Sequence, residues 1–162
     1  MTDEHFTLLR IEATDNLEGL VADINHAAWD EDNDLVAFDV KSLQSYLKRE
    51  DTVFLVCYDT QSKPPTLLGM ASARIEIKPY RQEQWLYVDE VDVCADQRQR
   101  GAGKQIMRAL FSIADEHNCE EVWLGTETDN DAANALYTSL GPEEVEAFVG
   151  YTFDPDDFQA TS

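Results

Sequence analysis

The stretch that most constrains the fold of this chain is a basic, glycine-containing loop that reads Arg98-Gln99-Arg100-Gly101-Ala102-Gly103-Lys104. A strand is predicted directly before it, over Trp85 to Val93, and an amphipathic helix directly after it, over Lys104 to Glu116. The start of a helix presents unpaired N–H groups and the positive end of its dipole, and glycines let a phosphate approach the backbone. This unit therefore predicts a site for a diphosphate.

Composition makes the loop stand out, because the rest of the chain is strongly acidic. The sequence has 33 Asp and Glu residues against 12 Lys and Arg residues, a formal net charge of −21. Four of the basic residues nevertheless lie between positions 98 and 108: Arg98, Arg100, Lys104 and Arg108. This local positive charge favours an anion site, and a basic turn exposed to solvent is the alternative.

The overall charge limits the classes of partner. It would repel nucleic acid and anionic membranes, so neither is an expected partner. It would attract a small polycationic amine, and it is equally typical of an adaptation to solubility or to high salt. The sequence leaves these two explanations of the acidity open.

No part of the sequence predicts an export signal, a membrane span or a metal site. The longest apolar run, Val53 to Tyr58, is too short to cross a bilayer. Cys57, Cys94 and Cys119 are odd in number and lack a CxxC pair, so we expect reduced thiols rather than disulfides or zinc. We therefore expect a soluble cytoplasmic protein without a metal.

The order of predicted elements gives a mixed α/β fold class. Before the Trp85 strand, the patterns predict a strand at Thr7–Ile11, a helix capped by Thr14-Asp15 that ends near Trp29, a helix at Ser42–Arg49, and strands at Thr52–Tyr58 and Leu67–Ile77. At the end they predict a strand at Glu121–Thr126, a helix between Asn130 and Gly141, and a strand at Val145–Phe153. The length predicts one domain over residues 1–154 and a flexible tail over residues 155–162.

The loop resembles the Q/R-x-x-G-x-G/A signature of the GNAT acetyltransferases, which Arg98 to Gly103 meets in full. Further along, Asn130 to Gly141 is similar to the family's N-x-x-A-x-x-L-Y-x-x-L-G helix. The resemblance implies the GNAT acyl-CoA N-acyltransferase fold: a central, mostly antiparallel twisted sheet flanked by helices, with splayed strands that form the cleft for CoA. It also implies acetyl-CoA as the cosubstrate.

Within the superfamily, the chain is most similar to the aminoglycoside 3-N-acetyltransferases of the gentamicin-modifying type. Leu86 to Val93 reads L-Y-V-D-E-V-D-V against a pattern of the form I-Y-I-Y-D-L-A-V, and an acidic E-E-V segment begins at Glu143. The chain departs from that pattern at Asp89, Glu90 and Asp92. Over roughly residues 80–150, the resemblance implies acetylation of an aminoglycoside, at the 3-amino group, and hence antibiotic resistance.

The resemblance also implies candidate catalytic residues. Glu90 matches the family's carboxylate and would be the general base, directly or through a water. Strand alternation places Asp92 on the face of Glu90, as its nearest substitute, and Asp89 on the other face. Tyr137 matches the tyrosine that donates to the departing CoA sulfur, although its spacing alone indicates a core residue of a helix.

The expected cofactor contacts come from the same resemblance. The main chains of Val91 and Val93 would hold the pantetheine arm, which Asn130 would contact besides capping its helix. Tyr137 would lie at the sulfur. The diphosphate would be held by Arg98, Gln99, Arg100, Gly101, Ala102, Gly103 and Lys104.

Acidic residues are the candidates for binding the acceptor, because several carboxylates around one cavity favour a ligand with several ammonium groups. They are Asp32 and Asp34 in the loop Asp30–Asp34, Asp89, Asp92, Glu143, Glu144 and Glu146. In so acidic a chain, ordinary surface charge explains each of them as well. Proteins of this type often pair, so a homodimer is consistent with the resemblance.

Three other functions stay open. A GNAT enzyme of this kind could acetylate another amine, such as a polyamine, an amino acid or a protein N-terminus. A non-catalytic regulatory module would bind acetyl-CoA without transferring its acetyl group. A protein that does not bind CoA would use the basic loop as a surface for some anionic partner.

Overall fold

The computed structural model describes residues 5–31 and 35–161, which form two compact units. The first unit ends at Gly125 and the second begins at Thr126. All strands of the described chain and three of its α-helices belong to the first unit. No helix in the described ranges is long and apolar enough to cross a membrane.

A five-stranded sheet forms the centre of the first unit. Its strands have the same order in space as in the chain: β1 (Phe6–Arg10), β2 (Thr52–Asp59), β3 (Thr66–Ile77), β4 (Gln84–Val93) and β5 (Cys119–Trp123). The pairings are antiparallel up to β4, whereas β4 and β5 are parallel. A parallel pair needs a crossover connection, which the basic loop and its helix supply.

Helices cover both faces of the sheet. On one face, α1 (Leu17–His26) and α2 (Val40–Leu47) share a core with inward side chains of β2 and β3, such as Phe54. On the other face, α3 (Ala102–Glu116) buries a stripe that includes Ile106. Burying each such side chain contributes about 1.5–3 kcal/mol, which holds both layers on the sheet. This architecture confirms the predicted mixed α/β fold.

The helices begin a few residues away from the predicted positions, because their caps differ. α1 begins after Asn16, while the carboxylate of Asp15, a predicted cap, accepts the backbone N–H of Glu12 at 2.7 Å. α2 begins directly after Asp39, whose carboxylate accepts the backbone N–H of Ser42 at 2.8 Å. Asp15 therefore does not cap α1, whereas the bond from Ser42 to Asp39 sets the start of α2.

A close approach at Gly69 fixes the carboxyl end of β4. A Cβ atom added there would lie 2.7 Å from the carbonyl oxygen of Asp92 and 2.9 Å from the Cδ1 atom of Ile106. Since glycine has no side chain, β3 can pack tightly against β4 and α3 at this point. The end of β4 and the first turns of α3 are therefore held by the same residue.

The second unit contains α4 (Asp131–Ser139). Asn130 caps this helix and Gly141 follows it with a left-handed φ of 70°, so both predicted helix signals are confirmed. The predicted strand at Val145–Phe153 is wrong, because within the described chain this stretch forms no strand and most of its apolar side chains are exposed. Apolar residues favour a strand, but a strand also needs a neighbour to share its hydrogen bonds.

A 3₁₀ helix over Pro155–Thr161 follows, in the stretch predicted as a tail. The rings of Phe153 and Phe158 lie 6.0 Å apart, and the Asp154 carboxylate accepts the backbone N–H of Asp156 at 2.9 Å. These are contacts between neighbours in sequence. The flexibility of this stretch stays a prediction.

Candidate active site

Strand β4 is paired on both edges along its first half only. Gln84 to Tyr87 pair with β3 on one side and with β5 on the other, where Trp123 is the last partner. From Val88 to Val93 the strand keeps its ladder with β3, while β5 has ended. The second half of β4 therefore has one edge, the free edge, that has no partner strand in the described part of the chain. Main-chain N–H and C=O groups of the strand point toward such an edge.

A β-bulge controls the side on which the carboxylates of this half lie. Val88 and Glu90 pair with successive residues of β3, so Asp89 is the extra residue. The Asp89 carboxylate lies 3.4 Å from the Nε atom of Arg74, whose cross-strand partner is Tyr87. Glu90 pairs with Ser72, which lies two positions before Arg74 and therefore on the same face of β3. The expectation that Asp89 and Glu90 lie on opposite faces is therefore wrong, because the bulge interrupts the alternation.

Asp92 and Glu90 form a pair of like charges. They are two positions apart on β4, on one face of the strand. Burial, followed by the negative charge of Glu90, raises the pKa of Asp92 to about 6. A carboxyl group with a pKa so close to neutral can gain and lose a proton under physiological conditions, as a general base must.

The loop after β4 contains two residues in the left-handed region. A 3₁₀ turn at Ala95–Gln97 follows the strand, and φ is 64° at Gln99 and 90° at Gly101. The helix α3 begins at Ala102, earlier than predicted, and its first-turn N–H groups have no carbonyl partner within the helix. A Cβ atom at Gly101 would meet no atom within 4 Å, so the space beside it is open. This geometry fits an anion site.

The two arginines of the loop are engaged in ion pairs. Arg98 Nη2 lies 2.5 Å from Oδ2 of Asp30, and Arg100 Nη2 lies 2.6 Å from Oδ2 of Asp59. The side chain of Lys104 is exposed in the first turn of α3, and no ion pair joins it to a residue of the described ranges. Lys104 and the helix start are therefore better placed than the arginines to supply charge to an anion.

The remaining motif residues belong to the second unit. The Asn130 side chain accepts the backbone N–H of Ala133 at 3.1 Å, which is the predicted capping bond. Tyr137 is half-buried on the apolar stripe of α4, together with Leu136 and Leu140. Its place on the stripe is the one that spacing predicts, but no residue of α4 is buried, so the core position that spacing indicated is not confirmed.

The predicted acceptor-binding residues divide between the units. Asp89 is in the first unit, beside Arg74. Glu143, Glu144 and Glu146 are exposed in the second unit. Asp32 and Asp34 lie outside the described residues.

A comparison with known families identifies the chain. Residues 16–141 match the sequence model of the acetyltransferase (GNAT) family, a range that includes both β4 with its loop and the α4 motif. This chain belongs to the GNAT acetyltransferase family. The family that the two motifs predicted is therefore confirmed, whereas the 3-N specificity stays a prediction.

One curated GNAT relative comes from a mammal. N-acetyltransferase family 8 member 3 of Mus musculus is 30% identical over 109 residues, which make up 67% of this chain and 46% of that protein. The chain therefore spans about half the length of this relative.

Solved structures similar to this GNAT chain include aminoglycoside acetyltransferases. One from an uncultured soil metagenomic sample, in complex with sisomicin, has a TM-score of 0.80 and 18% identity, covering 95% of this chain and 99% of that one. The aminoglycoside N-acetyltransferase AAC(6')-Iy in complex with CoA has a TM-score of 0.67 and 18% identity, covering 92% and 95%. At such identities the likeness establishes the fold.

The GNAT family uses acetyl-CoA, and the residues of the first unit fit it. The free edge of β4 offers N–H and C=O groups to an extended arm with amides, and the start of α3 offers N–H groups and Lys104 to a diphosphate. No cluster of three or more metal-ligating side chains occurs in the part of the chain that the structure describes.

Sequence reasoning missed the acidic partners of the loop arginines. Asp30 and Asp59 are 68 and 41 positions away from Arg98 and Arg100, and no local pattern links residues so far apart. Asp59 directly follows the predicted strand Thr52–Tyr58, where its residue type indicates an ordinary turn. Its burial is visible only in the folded chain.

Sequence reasoning also missed an aromatic cluster on the first half of β4. Adjacent rings of Trp85, Tyr87 and Trp123 have centres 5.9 Å apart. The Lys78 ammonium lies 4.0 Å from the centre of the Trp85 ring and donates to the Tyr87 hydroxyl. The alternation of Trp85 and Tyr87 along the strand was the available signal.

Proposed function

We propose that this protein transfers the acetyl group of acetyl-CoA to an amino group of a small polycationic amine. The observation that carries the proposal is the second half of β4, whose free edge leads from the basic loop to Glu90 and Asp92. A cosubstrate bound along this edge, with its phosphates at the loop, would bring its thioester to the carboxylates.

Backbone groups provide most of the cosubstrate contacts in this proposal. The first-turn N–H groups of α3, with Lys104, bind the diphosphate, and the main chains of Val91 and Val93 bind the pantetheine arm as an added strand. Asn130 contacts the arm through its amide N–H₂, since its side-chain oxygen accepts the N–H of Ala133.

Side chains of the protein accept and donate the protons of the reaction. Acetyl-CoA supplies a thioester, and a neutral amine forms the new C–N bond as the C–S bond breaks. Glu90 or Asp92 takes up the proton that the ammonium group loses, directly or through a water, and the pKa of about 6 leaves Asp92 mostly ionised at pH 7. Tyr137 donates a proton to the departing sulfur.

An aminoglycoside is the leading acceptor, with its 3-amino group as the acetylated position, so that the reaction would confer resistance. The net charge of −21 favours a polycation. Asp89, Glu143 and Glu144, with Asp32 and Asp34, would supply carboxylates to its ammonium groups. Structures named as aminoglycoside acetyltransferases share the fold, which supports this choice.

Mass spectrometry of gentamicin incubated with the protein and acetyl-CoA tests the proposal. We expect the mass of one added acetyl group, on the 3-amino nitrogen when the product is fragmented. Spermidine, free amino acids and peptides with free N-termini, assayed by CoA thiol release, cover the other acceptors. Turnover of one of these without any turnover of gentamicin would reject the aminoglycoside, and binding of CoA without transfer to any acceptor would reject catalysis.

A further inference from the structure

The Asp59 carboxylate is buried although it carries charge. Only 9% of Asp59 is exposed, and it is the one charged residue among the buried residues of the described chain. Its oxygens accept the guanidinium of Arg100 at 2.6 Å and the backbone N–H of Gln61 at 2.9 Å. The bond from Arg100, above all, holds the pKa of Asp59 below its usual value. A buried carboxylate of this kind stays ionised and needs its partner.

Arg100 joins the basic loop to the sheet. Besides Asp59, its guanidinium donates to the Oε1 atom of Gln97 at 2.7 Å and lies 5.6 Å from the centre of the Phe6 ring. Gln97 ends the 3₁₀ turn directly before the loop, and Phe6 begins β1. The Arg100 side chain therefore ties the loop to that turn, to the end of β2 and to β1.

The loop needs such an anchor, because its backbone is strained. The residues on either side of Arg100 have positive φ angles, 64° at Gln99 and 90° at Gly101. Glycine adopts this conformation freely, but a glutamine does so only when its surroundings fix it. Directly after Gly101 come the first-turn N–H groups that an anion would bind.

We propose that the Asp59–Arg100 ion pair positions the loop for the cosubstrate, and that Arg100 does not itself bind the diphosphate. This inference rests on the proposed function. If Arg100 turned to a phosphate, Asp59 would remain as a buried charge without its strongest partner, which is costly. The pair thus makes both residues positioning residues, in a loop whose backbone binds the ligand.

The affinities of two single variants for CoA separate positioning from direct contact. A positioning pair predicts that Arg100→Gln and Asp59→Asn each raise the Kd for CoA about tenfold, the effect of losing one pre-organising contact. The double variant should then be no weaker than the weaker single variant. A direct ligand predicts the opposite for Asp59→Asn, because freeing Arg100 from its carboxylate would leave CoA binding unchanged or tighten it.

Calorimetry with CoA and with acetyl-pantetheine, which lacks the diphosphate, makes the test specific. We expect the variants to lose affinity for CoA and to bind acetyl-pantetheine like the wild type. In steady state, the KM for acetyl-CoA should rise while kcat at saturation stays the same. Asp51→Asn is the matched control, since it removes an exposed carboxylate that pairs with Arg49 at 3.4 Å.

Each outcome has one meaning. If the wild type does not bind CoA, the proposed function is wrong. If the wild type binds CoA and Asp59→Asn binds it equally well or better, the positioning role is wrong. Should Asp59→Asn fail to fold, Gln97→Ala replaces it, because it removes a loop contact of Arg100 without exposing a buried charge. A Kd for CoA that Gln97→Ala leaves unchanged would then overturn the inference.

Discussion

The two halves of strand β4 share one backbone but differ in pairing and in side chains. Up to Tyr87 the strand is paired on both edges and carries aromatic rings that pack with Lys78. From Val88 onward it is paired by β3 alone, contains a bulge, and carries Asp89, Glu90 and Asp92. The acidic residues of β4 therefore begin where β5 stops pairing. We propose that the first half stabilises the sheet and that the second half binds the cosubstrate and carries the catalytic carboxylates.

Removal of the carboxylates of Glu90 and Asp92 should have the largest effect. It tests whether catalysis depends on the second half of β4. We expect Glu90→Gln combined with Asp92→Asn to lower kcat by about 10²–10⁴-fold, the usual contribution of a general base. The Kd for CoA should change little, because the loop and the β4 main chain are intact. Steady-state kinetics with gentamicin measures this, with Asp51→Asn as control. A double variant within a few-fold of the wild type would show that neither carboxylate acts as the base.

A side chain at Gly69 should disturb the second half through packing. Gly69→Ala would place a Cβ atom 2.7 Å from the Asp92 carbonyl oxygen, and such overpacking typically lowers the free energy of unfolding by about 1–3 kcal/mol. The matched control is Gly19→Ala, in α1, where a Cβ atom meets nothing within 4 Å. It should raise stability by about 0.5–1 kcal/mol. Equal stability of both variants in urea unfolding would contradict the close approach.

The ionisation of Asp92 should make part of the stability depend on pH. Its pKa is raised from 3.8 to about 6, so the folded protein binds this proton more tightly than the unfolded chain. Stability is therefore lost as pH rises from about 4 to about 6. Asp92→Asn should stabilise the protein at pH 7 by roughly 1–2 kcal/mol after allowance for solvent screening, and have little effect at pH 4. Urea unfolding at both pH values measures the difference, and a gain confined to pH 4 would reverse the assignment.

A change in the first half should affect stability slightly and leave catalysis alone. Tyr87→Phe removes the hydroxyl that accepts from Lys78, which should cost about 0.5–1.5 kcal/mol. The value of kcat should stay the same, because Tyr87 is still paired with β5 and belongs to the first half of β4. Tyr80→Phe, at a residue that is 65% exposed, is the control. A large fall in kcat for Tyr87→Phe alone would extend the site into the first half.

The sequence alone predicted those parts of the fold that depend on local patterns. The apolar stripe of α3, the Asn130 cap and the glycine after α4 were readable because each is a relation between neighbours in the chain. The strand at Val145–Phe153 failed for the converse reason. Its apolar residues are a local signal, but pairing depends on a partner that no local pattern specifies.

The candidate site was predictable to a similar extent. The motif located the loop, and alternation placed Asp92 beside Glu90. Alternation misplaced Asp89, because a bulge arises from the register between two strands. The pairing of Arg98 with Asp30 and of Arg100 with Asp59 was also out of reach, because it depends on how distant segments pack.

Hydrogen exchange of individual backbone amides, measured with and without CoA, tests the central claim most directly. We expect CoA to slow exchange at Val91, at Val93 and across positions 101–104, and to leave the first half of β4, Gln84 to Tyr87, unchanged. Protection confined to other parts of the chain, or no protection at saturating CoA, would contradict the claim that the free edge of β4 and the start of α3 bind the cosubstrate.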